Sequence, residues 1–230
     1  MNNYSEEFYV GYDRILVKVD SPVLEGYEVC KSLDDLRAST MKKTPPIVPG
    51  VRWTGAKIPN ALMSQILGTI HAFPKMETAY VLYYSTRENK WAAKCPEQNG
   101  AGAAVYFKDN GEPPAPGFAT IGTIHTHPEM SAFWSGIDLD DQRSKWGIHM
   151  VFGLRDGFVD TTLCTVFTLT DKYDQKLEDV IEPIDFKHEW APNKEWVEKI
   201  RRSKENGQMQ SFFTEGEREQ RSKDIRRRRG

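Results

Sequence analysis

Two histidines stand one residue apart, His125 and His127, inside the stretch IGTIHTHPEMSAFWSGID that spans residues 121–138. In an extended segment side chains alternate between faces, so both imidazoles point to the same side. Pro128 then withholds a ladder donor and turns the chain out of a sheet. Eleven residues after His127 comes Asp138. Two imidazoles and one carboxylate form a three-ligand set that leaves the fourth tetrahedral position to water. That is the composition of a catalytic zinc site, whereas a structural site is closed by a fourth protein ligand. Neutral imidazole also suits other first-row metals, so the composition favours Zn2+ without fixing it. The bland alternatives are packed or surface histidines and an Asp138 that only caps a helix. Ser135 lies three residues before Asp138, and far upstream Glu77 opens a β-like run that could lie beside the histidine strand.

The combination resembles the JAB/MPN metalloprotease family in its metal-binding form (JAMM, Mov34-type). The family pattern is an upstream glutamate followed by H-x-H-P-x6-S-x-x-D. Glu77, His125-Thr126-His127-Pro128, Ser135 and Asp138 follow it without departure in spacing. ETAYVL around Glu77 is similar to the family's E-x-x-x-x-L strand, and CPEQNGAGAAVYF with SAFWSGID and GIHMVFG resembles prokaryotic and phage members. The resemblance covers roughly residues 58–170 and leaves both ends of the chain outside it.

The resemblance implies an MPN/JAB-type curved β-sheet flanked by helices, with His125, His127 and Asp138 holding the metal. It implies that Glu77 accepts a proton from the water whose pKa the metal lowers, and passes it to the leaving amine. Ser135 would donate a hydrogen bond to the tetrahedral oxyanion, a contact worth about 3 kcal/mol in the transition state. The expected function is zinc-dependent hydrolysis of a peptide or isopeptide bond. The expected substrate is a ubiquitin-like protein or its conjugate, with activating or conjugating enzymes as neighbours. Two alternatives stand beside it: a catalytically silent MPN scaffold in a multiprotein assembly, and a cell-wall or phage-tail peptidase. Such scaffolds have usually lost ligands, and this chain keeps the whole set. The HxE with PCxxC of zinc deaminases, the HExxH of other metalloproteases and the GxSxG of serine hydrolases are all absent.

Other residues near the motif have plainer readings. Ser135 can cap the helix that starts near Asp138 while also serving the oxyanion. Glu129 sits on the outgoing loop and is a weaker base candidate than Glu77. Phe133 and Trp134 form either a groove wall or core packing. His149 reads as a packed histidine, and His71 and His188 receive no role.

The elements that must position these groups follow from periodicity. Residues 1–55 read as a strand-rich extension, with one strand over Phe8–Val19, a short helix over 33–39 capped by Ser32 and Asp35, and TPPIVPG as a connector. A JAB/MPN core follows over 56–182. Leu62, Ile66, Leu67 and Ile70 make a helical stripe after Pro59, closed by Phe73-Pro74. Glu77 opens a strand in which Ala79, Val81 and Tyr83 alternate with Tyr80, Leu82 and Tyr84. Residues 85–100 read as a polar loop, 103–107 as a strand, and 108–117 as a turn-rich insert; both loops are expected to shape a substrate groove. A strand over Phe118–His125 delivers the histidines, Asp138–Trp146 reads as a helix, and strands follow at 148–154 and 162–170. Strands interrupted by helices give an α+β (mixed α/β) class.

Composition limits the rest. The 230 residues carry a net charge of −2, which argues against a whole-surface nucleic-acid binder. Residues 183–230 read as a charged tail, partly helical around Trp196, Val197 and Ile200 and disordered beyond Gly207. The last 37 residues hold a net +5; the Arg-rich end reads as a solvated tail, with contact to nucleic acid or an acidic partner as the alternative, and nucleic acid is otherwise not expected as a partner. No apolar run approaches the roughly 18 residues of a membrane span. Cys30, Cys95 and Cys164 are odd in number and widely spaced, which fits a reducing compartment, and the start of the chain does not read as a secretion signal. A cytoplasmic location is expected.

Overall fold

Residues 4–10, 15–29, 41–43, 50–101, 104–107, 112–142, 146–168 and 171–202 are described here, from a computed structural model. The histidines end strand β10 (Ala119–His127), which follows the turn-rich insert. It lies inside a six-stranded sheet with β6 (Ala79–Ser85), β7 (Lys90–Lys94), β11 (Gly147–Arg155), β12 (Phe158–Phe167) and β13 (Lys172–Asp174), in the order β13-β12-β11-β10-β6-β7. β10 and β11 are parallel, and the other neighbours are antiparallel. A parallel pair needs a crossover, and α2 (Gly136–Gln142) lies within that connection. The metal-ligand candidates are therefore on the strand that enters the crossover and on the crossover helix itself.

Every residue of β6 is buried, as are all of β11 but its last. Both alternating sets read in the ETAYVLYYS segment are inside, because this strand is covered on both faces. Part of that cover is α1 (Asn60–Ala72), which begins after Pro59, ends at Phe73 and buries Met63, Ile66, Leu67 and Ile70. The architecture is mixed α+β, as the sequence predicts.

Several expectations are corrected. Residues 85–100 are not a loop: β7 and the start of β8 (Gln98–Ala101) occupy them, after a turn closed by Asn89 at φ 54°. Trp91 with Ala92 and Ala93 between lysines gives little alternation, as befits an edge strand protected by charge. The single strand expected over Phe8–Val19 is two, β1 (Tyr4–Val10) and β2 (Ile15–Asp20), antiparallel with Val10 opposite Ile15. The last strand starts earlier than expected, at Phe158, after a turn in which Asp156 and Gly157 both take positive φ, the twist that two-residue hairpins favour. α2 starts before Asp138, at Gly136.

The amino-terminal strands β3 (Leu24–Val29), β4 (Met41–Lys43) and β5 (Gly50–Trp53) join β1 and β2 in a second sheet ordered β4-β1-β2-β3-β5. Val23, Leu24, Val51 and Trp53 belong to the same buried cluster as the main core. Trp53 meets Tyr84 edge-on at 5.5 Å and Trp91 at 5.0 Å, and both indoles donate to the Ala56 carbonyl. The Gln175 carboxamide bonds both Val51 O and Trp53 N, joining this sheet to the segment after β13. At the other end, after the single turn α3 (Leu177–Val180), α4 (Lys194–Lys199) and β14 (Ile200–Arg202) bury Trp196 and Ile200 in the core cluster. Part of the segment read as a tail is thus packed, and its helix stops before Ile200, which the spacing predicts as helical, because Ile200–Arg202 is strand. β14 pairs parallel with β8, which pairs antiparallel with β9 (Ala104–Phe107). Among the described residues no helix is long and apolar enough to cross a membrane. The expected helix over 33–39, most of the 44–50 connector, Cys30 and the end beyond Arg202 lie outside the described residues.

Candidate metal centre

The end of β10 is held from both sides. His125 is paired with Ala79 across the antiparallel β6 and with Val151 across the parallel β11. Continuing that register back along the chain sets Thr78 against Thr126 and Glu77 against His127. The Thr126 amide donates to Thr78 O at 3.0 Å, the Thr78 amide donates to Thr126 Oγ1 at 2.9 Å, and the two hydroxyls lie 3.2 Å apart. Because opposed residues share a face and neighbours alternate, this threonine pair occupies one face. Glu77 and the two histidines are left on the other.

After Pro128 the chain reverses at Glu129, whose φ is 54°. The returning loop passes against Gly153, the β11 residue opposite His127. A Cβ on Gly153 would lie 2.4 Å from Ala132 N and 2.5 Å from Met130 O, so only glycine leaves room for it. The Ala132 amide donates to Thr161 Oγ1 at 2.7 Å. Trp134 Nε1 donates to Thr165 Oγ1 at 3.2 Å, and that hydroxyl donates to Asp174 Oδ1 at 2.9 Å. The Trp134 ring packs on Phe167 at 5.1 Å and on His125 at 5.9 Å. Phe133 lies 4.5 Å from the His127 ring and is 44% exposed. The two aromatics divide the roles left open by sequence: Trp134 is packed behind the site, and Phe133 stands at its rim.

Ser135 and Asp138 form a reciprocal cap on α2. Ser135 Oγ accepts from the Asp138 amide at 3.2 Å, and Asp138 Oδ2 accepts from the Ser135 amide at 2.9 Å. This is a capping box, and it aims the carboxylate back toward β10. Asp138 Oδ1 lies 3.4 Å from His125 Nε2, and Oδ2 lies 3.9 Å from His127 Nε2. One ligand atom from each of the three residues falls within a 4.8 Å group. Tetrahedral ligands at about 2.0–2.1 Å from a metal are about 3.3 Å apart, so the set is close to that spacing. His125 Nε2, the atom that faces Asp138, is buried without a hydrogen-bond partner. Buried polar atoms are rarely left so, and a cation held by these side chains is the fit that the donor set suggests.

The electrostatics agree. Burial would raise the Asp138 carboxyl, but His125 beside it and the Ser135 contacts outweigh burial and hold it at about 2. Burial, helped by the neighbouring His125, lowers His127, against the opposing pull of Asp138 and the Ser131 carbonyl. An ionised carboxylate and a neutral imidazole are the forms that bind metal. Glu77 is 7% exposed, and burial, helped by Asp138, raises its carboxyl to about 7 against the pull of His125 and a hydrogen bond from the Val105 backbone.

All five residues singled out by sequence, Glu77, His125, His127, Ser135 and Asp138, thus come to one neighbourhood. Glu129 is exposed on the outgoing turn. His149 is buried with Nδ1 2.9 Å from Thr123 Oγ1 and its ring against Phe167. His71 packs on Phe158, and His188 on Trp190. Sequence reading did not find the Val105 contact, since a backbone donor carries no side-chain signal, nor the threonine pair, which needs the register.

No protein-family model matches the chain, and no curated protein does. Solved structures do. A JAB1/MPN domain protein from Archaeoglobus fulgidus aligns at 21% identity and TM-score 0.35, over 55% of this chain and all of that one. A protein from Salinibacter ruber solved in solution aligns at 14% identity and TM-score 0.32, over 55% of this chain and 91% of its own.

Proposed function

We propose that this chain is a JAMM-type zinc metallo(iso)peptidase that hydrolyses an amide bond to a ubiquitin-like protein. The supporting observation is the convergence of His125, His127 and Asp138 with a buried, proton-accepting Glu77 beside them. The two imidazoles and the carboxylate would hold the metal. Once bound, it supplies a polarised substrate carbonyl and an acidified water.

The chain's own groups provide the rest. Glu77 takes the proton of the attacking water and returns it to the departing amine nitrogen, so that water and amide become carboxylate and amine. Burial, which raises this carboxyl in the metal-free chain, favours its taking up a proton. Ser135 Oγ is an acceptor in the α2 cap, which leaves its O–H proton free to donate to the oxyanion. Trp134 holds the imidazole of His125 from behind, and the exposed Phe133 borders the approach.

Metal analysis of the purified protein is expected to give about one ion per chain, and His127→Ala to abolish it. Glu77→Gln is expected to keep the ion and lose cleavage of a ubiquitin-like tail joined by an amide to an aminocoumarin. Equal cleavage by Glu77→Gln and the parent overturns the base assignment. A parent that holds no metal and cleaves nothing would instead be a scaffold.

A further inference from the structure

Glu77 is not in the sheet proper, since β6 begins two residues later at Ala79. The pairing of β6 with β7 begins only at Val81, opposite Lys94. Thr78 turns its backbone groups toward β10, so by alternation Ala79 and Glu77 turn theirs to the opposite edge, where β7 has already ended. Gln98, fully buried, fills that gap. Its Oε1 accepts from Ala79 N at 2.8 Å and its Nε2 donates to Ala79 O at 2.9 Å. The carboxamide offers the donor and acceptor of a missing strand residue. Its Nε2 also lies 3.0 Å from Cys95 Sγ and 3.5 Å from Pro96 O.

Gln98 is itself held, in the middle of a small sheet. It lies opposite Phe107 of β9 and opposite Ile200 of β14. Two residues on, Gly100 lies so close that a Cβ there would be 2.5 Å from the Glu77 carbonyl. Val105, opposite Gly100, is the residue whose backbone bonds the Glu77 carboxyl. One hairpin therefore meets the segment bearing the glutamate at Ala79 N, Ala79 O, the Glu77 carbonyl and the Glu77 side chain. None of these contacts involves a metal-ligand candidate.

We propose that Gln98 is a positioning residue for Glu77: its carboxamide replaces the absent strand partner of Ala79 and thereby fixes the base relative to the metal centre. This rests on the hydrolase reading above for what Glu77 does. The ligands sit on β10 and α2, so loss of the clamp displaces the base and leaves the ligand set standing.

The test is Gln98→Met, similar in length but unable to make either bond, in the full chain. With the aminocoumarin amide as substrate, kcat is expected to fall on the order of 10- to 100-fold, the effect of a misplaced catalytic group. KM should stay within about twofold, and metal content at the parent's level. Amide exchange by mass spectrometry should quicken in residues 76–80 and stay unchanged in 121–127. An unchanged kcat, or metal lost together with activity, overturns the proposal. Should Gln98→Met fail to fold, Gln98→Asn takes its place, since its carboxamide is one methylene too short to reach both Ala79 groups; an unchanged kcat there overturns the proposal equally. A parent that does not cleave the amide defeats the hydrolase reading. The exchange result then decides the clamp alone: quickened exchange at 76–80 keeps it, and unchanged exchange removes it.

Discussion

Glu77 is a carboxyl held where its ionised form is disfavoured, and that has a cost with a definite sign. Its folded-state value of about 7 lies above the ordinary 4.5, so between those values the native protein binds more protons than the unfolded chain. Stability of the metal-free protein should therefore fall as pH rises from 4.5 through 7, by about 3 kcal/mol for this group. Glu77→Gln removes the dependence: metal-free denaturant curves at pH 8 should show the variant more stable than its parent by about 2–3 kcal/mol, and at pH 4 should nearly coincide. Asp138, at about 2, works oppositely, contributing stability above 3.8 that is lost as pH falls through 2. Ser135→Ala should cost about 1 kcal/mol as a lost cap, and turnover about 100- to 1,000-fold as a lost oxyanion donor; unfolding curves and initial rates separate the two. At this scale the convergence of His125, His127 and Asp138 was legible, because the period-two spacing of the histidines and the S-x-x-D cap are local. The Val105 and Gln98 contacts were not, because they join residues whose spacing only the folded hairpin defines.

Elements place the site through a few tight approaches. Gly153 lets the loop after Pro128 fold back over β11 beside His127, and a methyl there would strike Ala132 N and Thr161 Oγ1 at 2.4 Å. Gly153→Ala should shift that loop and weaken metal binding about 10- to 100-fold, the range for changes in the groups supporting ligands; competition with a chelator of known affinity measures it. Gly122→Ala is harsher, since its Cβ would fall 1.6 Å from Ile148 O across the β10–β11 pair, and should show as loss of folded protein. The strands β6, β10 and β11 and the helix α1 could be read because each has a sustained apolar pattern. β7 escaped because Trp91 is its one large apolar residue, and β14 because three residues after a helix resemble a continuing helix until β8 is there to pair with them.

Across the whole molecule, both ends of the described chain are fastened to the central core. Trp53 carries the amino-terminal sheet into the Tyr84–Trp91 cluster, and Gln175 stitches β5 to the residue after β13. Trp53→Ala should cost about 3–5 kcal/mol and lower the denaturant midpoint of one shared transition. The order β4-β1-β2-β3-β5 could not be read from sequence, since β1 joins β4 across a separation that no local pattern encodes. At the opposite end, β14 pairs beside β8 of the hairpin that meets the Glu77 segment. The ribosome makes that strand last among the described elements, long after the metal ligands. A nascent chain stopped short of Ile200 would already carry His125, His127 and Asp138 yet lack the strand beside Gln98. The turnover proposed here would then need the chain through Arg202, and a truncation ending at Lys199 is expected to keep metal content while losing cleavage.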